Sequence, residues 1–180
     1  AINWQLLGTH NIHNALSATA AALCVNLPLP DIAASLNKFA GVQRRLELIS
    51  QNQYLSLYSD FAHHPTAIAN TSYAIKNIME QQDNLILIIE LASNSMKAGV
   101  HKNLLSESAT LADQVIWYTN HAIDQTTATT LCANKNHLLI KDIQHIPSLL
   151  NIKSTAHTYI IVMTNADARR IINPIQAKHF

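Results

Sequence analysis

The residues best suited to chemistry in this sequence lie on one short stretch, a carboxylate at Asp60 and imidazoles at His63 and His64. Four of the five residues at 54–58 are aromatic or aliphatic, which is typical of a β-strand. After them, Pro65 opens a segment whose apolar residues recur every three or four positions, as in an amphipathic helix. The sequence therefore predicts a turn between a strand and a helix, where open α/β sheets bind ligands and helix starts favour anions. This stretch alone is equally compatible with a capping carboxylate and two solvated histidines.

Composition limits the kind of protein that this chain can be. Its 180 residues are 48% hydrophobic and 13% charged, which suits one α/β domain or a domain with a fragment of a neighbour. The net charge is +1, and the basic residues form no cluster, so we expect no nucleic-acid partner and no membrane-surface partner. We find no signal peptide and no apolar run of membrane-spanning length, which favours a cytoplasmic protein. The apolar surroundings of Cys24 and Cys132 predict buried thiols in a reducing compartment.

Two kinds of binding motif, for metal ions and for phosphates, are absent from the sequence. The ten histidines are scattered and show no H-E-x-x-H or Cys/His knuckle spacing, so we predict no metal ligands in this chain. Only three glycines occur, and they form neither a G-x-x-x-x-G-K-[ST] loop nor a G-x-G-x-x-G loop. If the protein handles a nucleotide, the cradle for the triphosphate must lie elsewhere.

The elements needed to position the Asp60 stretch are predicted from the order of apolar segments. Residues 1–7 look strand-like, an alanine-rich helix runs to about Val25, and a second helix carries Ile32, Leu36 and Phe39 on one face before Gly41 stops it. Because these elements are too few to form a core, we expect residues 1–40 to be the end of a preceding domain and residues 41–180 to be a domain of their own.

Beyond residue 45, the pattern changes to a hairpin and then to alternating helices and strands. The predicted strands cover residues 46–50, 54–59, 85–91, 114–118, 138–140 and 159–163. Strands separated by helices predict an α/β fold, a Rossmann-like, mostly parallel sheet flanked by helices, with an N-terminal hairpin strand and the helical tail of the preceding domain.

Polar residues follow several of these strands at the point where each one ends. They are Asp60 with His63, residues 93–97, residues 119–121, and Thr164 with Asn165. Because a parallel sheet brings such ends to one edge, the sequence predicts a polar crevice there. Ordinary loop chemistry and helix capping are the alternative interpretation of each cluster taken alone.

Three motifs in this order resemble the Mur ligases of bacterial peptidoglycan synthesis. They are G-T-H-N-I-H-N-A-L-S-A (residues 8–18), G-V-Q-R-R-L-E (residues 41–47) and D-F-A-H-H-P-T-A-I (residues 60–68). The run S-N-S-M-K-A-G-V-H-K (residues 93–102) is similar to the corresponding segment of the family member that ligates a tripeptide. The likeness covers nearly the whole chain but only about the last third of such a ligase. It implies that residues 1–40 end the central ATPase domain and residues 41–180 form the C-terminal domain.

The resemblance also implies roles for individual residues. Asn11 and Asn14 match paired asparagines near ATP, and Asn14 matches the one that meets adenine. Arg45 matches an arginine that reaches the phosphates, and Asp60 matches a carboxylate on the ribose. His63 and His64 match a pair that lines the reaction site, which makes them, with Arg45, the candidate catalytic residues. The implied contacts to the amine substrate are Ser93, Asn94, Met96, Lys97, His101, Thr164 and Asn165.

One departure from the family pattern concerns the loop after the last strand. The family usually has S-N-G-G-F, whereas this chain has T-N-A-D-A at residues 164–168. Since glycine allows a ligand to approach the backbone closely, we expect closer steric limits on ligand contacts at this loop.

The function implied by the resemblance is amide-bond formation with ATP. The tripeptide L-Ala-γ-D-Glu-meso-diaminopimelate would be joined to UDP-N-acetylmuramate through an acyl phosphate during peptidoglycan recycling. ATP and Mg²⁺ would be held mainly by the rest of the ligase, so the isolated chain should be inactive. The alternatives are a fragment of the L-alanine-adding ligase and a non-catalytic Rossmann-like module that binds a peptide or nucleotide.

Overall fold

The computed structural model describes residues 2–4, 6–93, 96 and 101–180, apart from the side chain of residue 102. The chain divides into two compact units, Ala1–Gln43 and Arg44–Phe180. No helix in the described part of the chain has the length and apolar character needed to cross a bilayer.

The first unit consists of the helices α1 (Thr9–Cys24) and α2 (Leu29–Asn37). The described residues among 1–7 form no strand, so the prediction of a strand there is wrong. Among the described residues of this unit, only Ala15 and Ile32 are buried. The unit therefore contains little hydrophobic core of its own.

The second helix ends earlier than its apolar pattern predicts. It stops at Asn37, so Phe39 lies beyond it and is 45% exposed, with its ring 6.3 Å from that of Trp4. Gly41 has a φ of 97°, in the left-handed region that glycine adopts most easily. The apolar residue at position 39 thus belongs to the turn after the helix and not to its buried face.

The second unit is a six-stranded sheet with helices between its strands. Its elements are β1 (Glu47–Gln51), β2 (Leu55–Asp60), α3 (Pro65–Lys76), β3 (Asn84–Glu90), α4 (Lys102–Ser108), β4 (Gln114–Tyr118), α5 (Gln125–Leu131), β5 (His137–Ile140), a 3-10 turn (Ile143–His145), α6 (Ile146–Leu149), β6 (Thr158–Met163) and α7 (Arg169–His179). The strand order is β1-β2-β6-β3-β4-β5, with β1 antiparallel to β2 and the other pairs parallel. The predicted α/β fold, mostly parallel with an N-terminal hairpin strand, is confirmed.

The register of the central strands brings their carboxyl ends to one edge. Met163, the last residue of β6, pairs with Asp60 of β2 on one side and with Ile89 of β3 on the other. Glu90, the next residue of β3, pairs with Tyr118 at the end of β4. We call this edge of the sheet the carboxyl rim. The residues that follow β2, β3, β4 and β6 all start there.

The sheet is held by apolar side chains on strands that are buried along their whole length. All seven residues of β3 are buried, as expected of a strand covered on both faces. On one face, Ile171, Ile172 and Ile175 of α7 pack with Leu57 of β2 and Ile160 of β6 in a single cluster. Burial of these side chains supplies the main stabilisation of the rim's position.

Cys24 and Cys132 are both exposed, so the prediction of buried thiols is wrong. Cys24 is the last residue of α1, and Cys132 caps the end of α5. Apolar neighbours in sequence indicate a helix, but they do not tell which face of it is covered.

A leucine in the cluster below the rim provides a test of this packing. Leu57 is 0% exposed, and we expect Leu57→Ala to lower the free energy of unfolding by about 2–5 kcal/mol, because it leaves a cavity. Urea denaturation followed by far-UV circular dichroism measures the change. The matched control is Leu104→Ala in α4, where the leucine is 53% exposed and the same atoms are removed with little effect. Equal losses in both variants would contradict the assigned core.

Candidate functional site

Asp60 joins the end of β2 to the segment that precedes β1. Its side chain is 4% exposed; Oδ1 accepts a hydrogen bond from the Ala62 backbone N–H at 2.6 Å, and Oδ2 accepts one from Leu46 N–H at 2.7 Å. Leu46 has a φ of 49° and Arg44 a φ of 58°, both in the left-handed region that disfavours side chains with a Cβ. The Asp60 carboxylate therefore helps to hold a strained segment against the carboxyl rim.

Burial raises the pKa of Asp60 above its ordinary value, because the charged form is desolvated. The hydrogen bonds from Ala62 and Leu46, the charge of Arg45 and a hydrogen bond from Thr71 act in the opposite direction and are the smaller influences. Both oxygens thus already have backbone donors. A ribose hydroxyl could reach only their remaining lone pairs on a side chain that is almost fully buried.

Two consecutive arginines share the ring of Phe61 but are engaged differently. The guanidinium carbons of Arg44 and Arg45 lie 5.1 and 5.5 Å from the ring centroid, within cation–π range. Arg44 also donates through Nη2 to the carbonyl oxygens of Thr164 at 2.5 Å and Ala166 at 2.6 Å. Arg45 is exposed, and its guanidinium has no hydrogen bond to another described residue. Arg44 is therefore committed to the fold, whereas Arg45 can bind an anion.

Three histidines of two distant segments lie close to this edge. His63 Nδ1 is 2.9 Å from the Phe61 carbonyl oxygen, which can only accept, so Nδ1 carries the proton and Nε2 of the neutral ring can accept. The rings of His64 and His101 meet edge to face, with centroids 5.2 Å apart. His64 precedes α3 and His101 precedes α4, so the fold brings together two residues that the sequence placed on separate loops.

The loop after β6 is tied down by polar contacts of its first residue. Thr164 is 0% exposed, donates its hydroxyl hydrogen to Glu90 Oε2 at 2.5 Å and accepts from Ala166 N–H at 2.9 Å. Its own N–H donates to the Asp60 carbonyl oxygen at 3.1 Å. Asn165 is half-buried, and its side-chain oxygen is buried without a hydrogen-bond partner among the described residues. Thr164 therefore presents no free hydroxyl to a ligand, and the unpaired side-chain oxygen of Asn165 is buried.

Sequence reasoning missed Arg44, Glu90 and Arg170 as functional candidates. Glu90 is 3% exposed, and its Oε1 accepts from Arg170 Nη2 at 2.8 Å. A signal was available for Glu90, since a charged residue that ends an otherwise apolar buried strand needs a partner. Nothing local in the sequence marks Arg170 as that partner.

The remaining predicted substrate contacts lie on the segment after β3. Ser93 is half-buried and accepts, through Oγ, a hydrogen bond from Met96 N–H at 3.3 Å. Met96 is only 1% exposed, so its side chain is part of the core. Asn94 and Lys97 lie outside the described residues.

The predicted nucleotide contacts of the first unit lie on one helix. Asn11 donates from Nδ2 to the Leu7 carbonyl oxygen at 2.8 Å, a contact that fixes the start of α1. Asn14 is exposed one turn later. Within the part of the chain that the structure describes, no group of three or more His, Cys, Asp or Glu side chains is placed to hold a metal ion.

The carboxyl rim gathers the residues of the candidate site. A mostly parallel sheet presents, at its carboxyl rim, an exposed arginine, a buried carboxylate under a strained segment and three histidines. The profile of the family described as "Mur ligase, glutamate ligase domain" matches residues 44–171. The chain therefore belongs to the Mur ligase family.

Within the family, this chain is similar to ligases of two kinds. This chain is 41% identical to the UDP-N-acetylmuramate–L-alanyl-γ-D-glutamyl-meso-2,6-diaminoheptandioate ligase of Escherichia coli K12. The alignment spans 114 residues, which are 63% of this chain and 25% of that ligase. The structure of a murein peptide ligase from Psychrobacter arcticus covers 98% of this chain with a TM-score of 0.73 and 33% identity, and 38% of that protein is matched. The UDP-N-acetylmuramate–L-alanine ligase of Caldicellulosiruptor bescii is 32% identical over 142 residues, 79% of this chain and 30% of that protein. The chain spans about a quarter to a third of the length of these curated relatives.

The burial of Asp60 leads to a prediction about pH. A group whose pKa is raised in the folded state binds its proton more tightly there, so its contribution to stability is lost as the pH rises through that pKa. We therefore expect the advantage of the wild type over Asp60→Asn, in free energy of unfolding, to be largest below the ordinary pKa of 3.8 and to shrink at higher pH. Urea titrations from about pH 3 to 7 measure it.

Asp167→Asn is the matched comparison for this experiment. Hydrogen bonds from Arg169 lower the pKa of Asp167, which is exposed, so the small advantage of the wild type over that variant should grow as the pH rises. If the two differences changed in the same direction with pH, the assigned environment of Asp60 would be wrong.

Proposed function

We propose that this chain is the C-terminal part of an ATP-dependent ligase that joins L-Ala-γ-D-Glu-meso-diaminopimelate to UDP-N-acetylmuramate. The observation that carries the proposal is the 41% identity to an E. coli ligase named for these two substrates. The S-N-S-M-K run at residues 93–97, with its similarity to the tripeptide-adding member, supports the same substrate. The role would be peptidoglycan recycling, in the cytoplasm, where ATP and nucleotide-linked sugars are available.

The two units would belong to different domains of that ligase. Residues 1–40 would end the central ATPase domain and residues 41–180 would be the C-terminal domain, with the remaining domains as partners. In support, Ile12 and Leu16 of α1 are 56% and 62% exposed, and few residues of the first unit are buried. Those apolar side chains would be covered by the rest of the central domain. Asn11 and Asn14 would then be the residues of this unit nearest to ATP.

The ligase reaction proceeds in two steps of carboxylate activation. The lactyl carboxylate of UDP-N-acetylmuramate attacks the γ-phosphorus of ATP, giving an acyl phosphate and ADP. The alanine amine of the tripeptide then attacks the acyl carbon and loses a proton, and inorganic phosphate leaves from the tetrahedral intermediate. Catalysis consists mainly of placing the reactants and neutralising phosphate charge.

The described side chains would divide this work between phosphate and amine substrate. Arg45 would reach the phosphates with a planar fork of donors. His63 and His64 would line the reaction site. Asp60 fits an indirect role better than a direct ribose contact, because it holds the segment from which Arg45 projects.

The amine substrate would lie along the segment after β3 and the loop after β6. Ser93, Asn94, Lys97 and His101 would surround it, with Met96 as an apolar support from the core. Asn165 would border the amine substrate at the loop after β6. ATP and Mg²⁺ would be held mainly by the rest of the ligase.

A second candidate substrate is L-alanine. The observation in its favour is the alignment with the L-alanine ligase of C. bescii, which spans more of this chain than the E. coli alignment does, 79% against 63%. Its lower identity, 32% against 41%, makes it the weaker candidate.

Substrate choice is tested by steady-state ADP release from the full-length ligase that contains this chain. With UDP-N-acetylmuramate and ATP present, we expect kcat/KM for the tripeptide to exceed that for free L-alanine by at least about a hundredfold. A higher kcat/KM for L-alanine would instead identify L-alanine as the substrate. Release of no ADP with either amine would favour a binding module without catalysis.

Arg45→Ala tests the division of work in the same enzyme. Loss of a charge-assisted contact to phosphate should raise KM for ATP, or lower kcat, by about 10- to 100-fold and leave KM for the tripeptide nearly unchanged. Arg169→Ala is the control, because Arg169 is an exposed arginine paired with Asp167. If Arg45→Ala had the KM for ATP and the kcat of the wild type, Arg45 would not be a residue of the nucleotide site.

A further inference from the structure

Glu90 is a buried carboxylate whose two oxygens have different partners. Oε1 accepts from Arg170 Nη2 at 2.8 Å and Oε2 accepts from the Thr164 hydroxyl at 2.5 Å. Glu90 stands at the carboxyl end of β3, so Arg170, in the first turn of α7, is held at the carboxyl rim. The side chain of Glu90 is 4% exposed and that of Arg170 is 42% exposed. The pair thus has a buried anionic end and an open cationic end.

Among the described residues, hydrogen-bond partners engage only one edge of the Arg170 guanidinium. Nη2 donates to Glu90, and Nε donates to the Asp167 carbonyl oxygen at 3.3 Å. The guanidinium's other N–H groups have no partner among the described residues, and a guanidinium can hold a carboxylate through two parallel hydrogen bonds. Contacts to Glu90 and Asp167 fix the plane of the group beforehand, which reduces the entropy lost when a ligand binds.

The neighbouring arginine shows that this arrangement is particular to Arg170. Arg169 is 80% exposed and pairs with the carboxylate of Asp167 through Nε at 3.0 Å and Nη2 at 3.3 Å. Asp167 is the acidic residue nearest to Arg170 in sequence, but its carboxylate pairs with Arg169. A buried carboxylate holds Arg170 from below, whereas a surface carboxylate occupies Arg169.

We propose that Arg170 binds a carboxylate of the incoming peptide, and that Glu90 is the positioning residue that holds its guanidinium at the carboxyl rim. This inference rests on the proposed function, which supplies a peptide with several carboxylates. Glu90 leads directly into residues 91–101, the segment assigned to the amine substrate, whereas Arg45 projects from the segment before β1. Arg170 therefore belongs to the peptide side of the site and Arg45 to the phosphate side.

The test uses the full-length ligase with Arg170→Gln and the matched control Arg169→Gln. We expect Arg170→Gln to raise KM for the tripeptide by about 10- to 100-fold and to leave KM for ATP within about twofold. Arg169→Gln should leave both constants within about twofold. Arg170→Lys keeps the charge without the planar fork, so its KM for the tripeptide should lie between those of the wild type and Arg170→Gln.

Amidated substrates separate recognition from a purely structural effect. For one of the tripeptides in which a single carboxylate is replaced by a carboxamide, we expect wild-type KM to rise and Arg170→Gln to add no further increase. Glu90→Gln should raise KM for the unmodified tripeptide in the same direction as Arg170→Gln. If Glu90→Gln fails to fold, the Arg170 variants and the amidated peptides still decide the question.

Three results would overturn the inference. They are a wild-type KM for the tripeptide in Arg170→Gln, an equal rise in Arg169→Gln, or a rise in KM for ATP instead, which would show that the bound anion is a phosphate. If the wild-type ligase does not turn over the tripeptide at all, the proposed function fails and the inference fails with it. If the wild type is active and Arg170→Gln has wild-type constants, only the inference fails.

Discussion

The insertion of β6 between β2 and β3 is the constraint on which the site depends. The last strand of the chain pairs in parallel with two strands that lie much earlier in the sequence, so Met163 lies beside both Asp60 and Ile89. Without this pairing, Thr164 could not contact the Asp60 carbonyl and the Glu90 carboxylate together. Burial of apolar strands therefore decides where the polar groups of the rim meet.

Charged groups at the rim fall into those that hold the loops and those that remain open to a ligand. Arg44 and Glu90 belong to the first kind, since Arg44 donates to the loop after β6 and Glu90 accepts from Thr164 of that loop and from Arg170. Arg45 and Arg170 belong to the second kind, because each is supported on one side and exposed on the other. Burying a charge is unfavourable unless it is paired. The charged groups that hold the loops therefore need partners within the protein, whereas the groups open to a ligand can remain partly exposed.

The loop after β6 offers a ligand little free backbone. The carbonyl oxygens of Thr164 and Ala166, on either side of Asn165, both accept hydrogen bonds from Arg44. Backbone groups that a glycine-rich loop could offer to a ligand are here used within the protein. The side-chain oxygen of Asn165 remains as the acceptor without a partner among the described residues.

The sequence was sufficient for the fold and for the list of loops, but not for the contacts between them. The apolar run of β3 and the helix after Pro65 follow from local periodicity. β3 was predicted within one residue at each end, and the helix begins at Pro65 as predicted. Strand order could not be predicted, because nothing local states that β6 lies between β2 and β3. For the same reason the pairing of Glu90 with Arg170 and the contact of His64 with His101 were missed. The exposure of Cys24 shows the same limit, since burial of a helical residue depends on which other elements pack against that face of the helix.

The central claim is that loops far apart in sequence form one binding surface at the carboxyl rim. Amide hydrogen exchange of the full-length protein, with and without the tripeptide and a non-hydrolysable ATP analogue, tests it most directly. We expect slower exchange in residues 44–46, 61–64 and 164–170 together. Residues 51–54 and 152–157, at the opposite edge of the sheet, should not change. Protection confined to that opposite edge, or to only one of the three rim segments, would contradict the account.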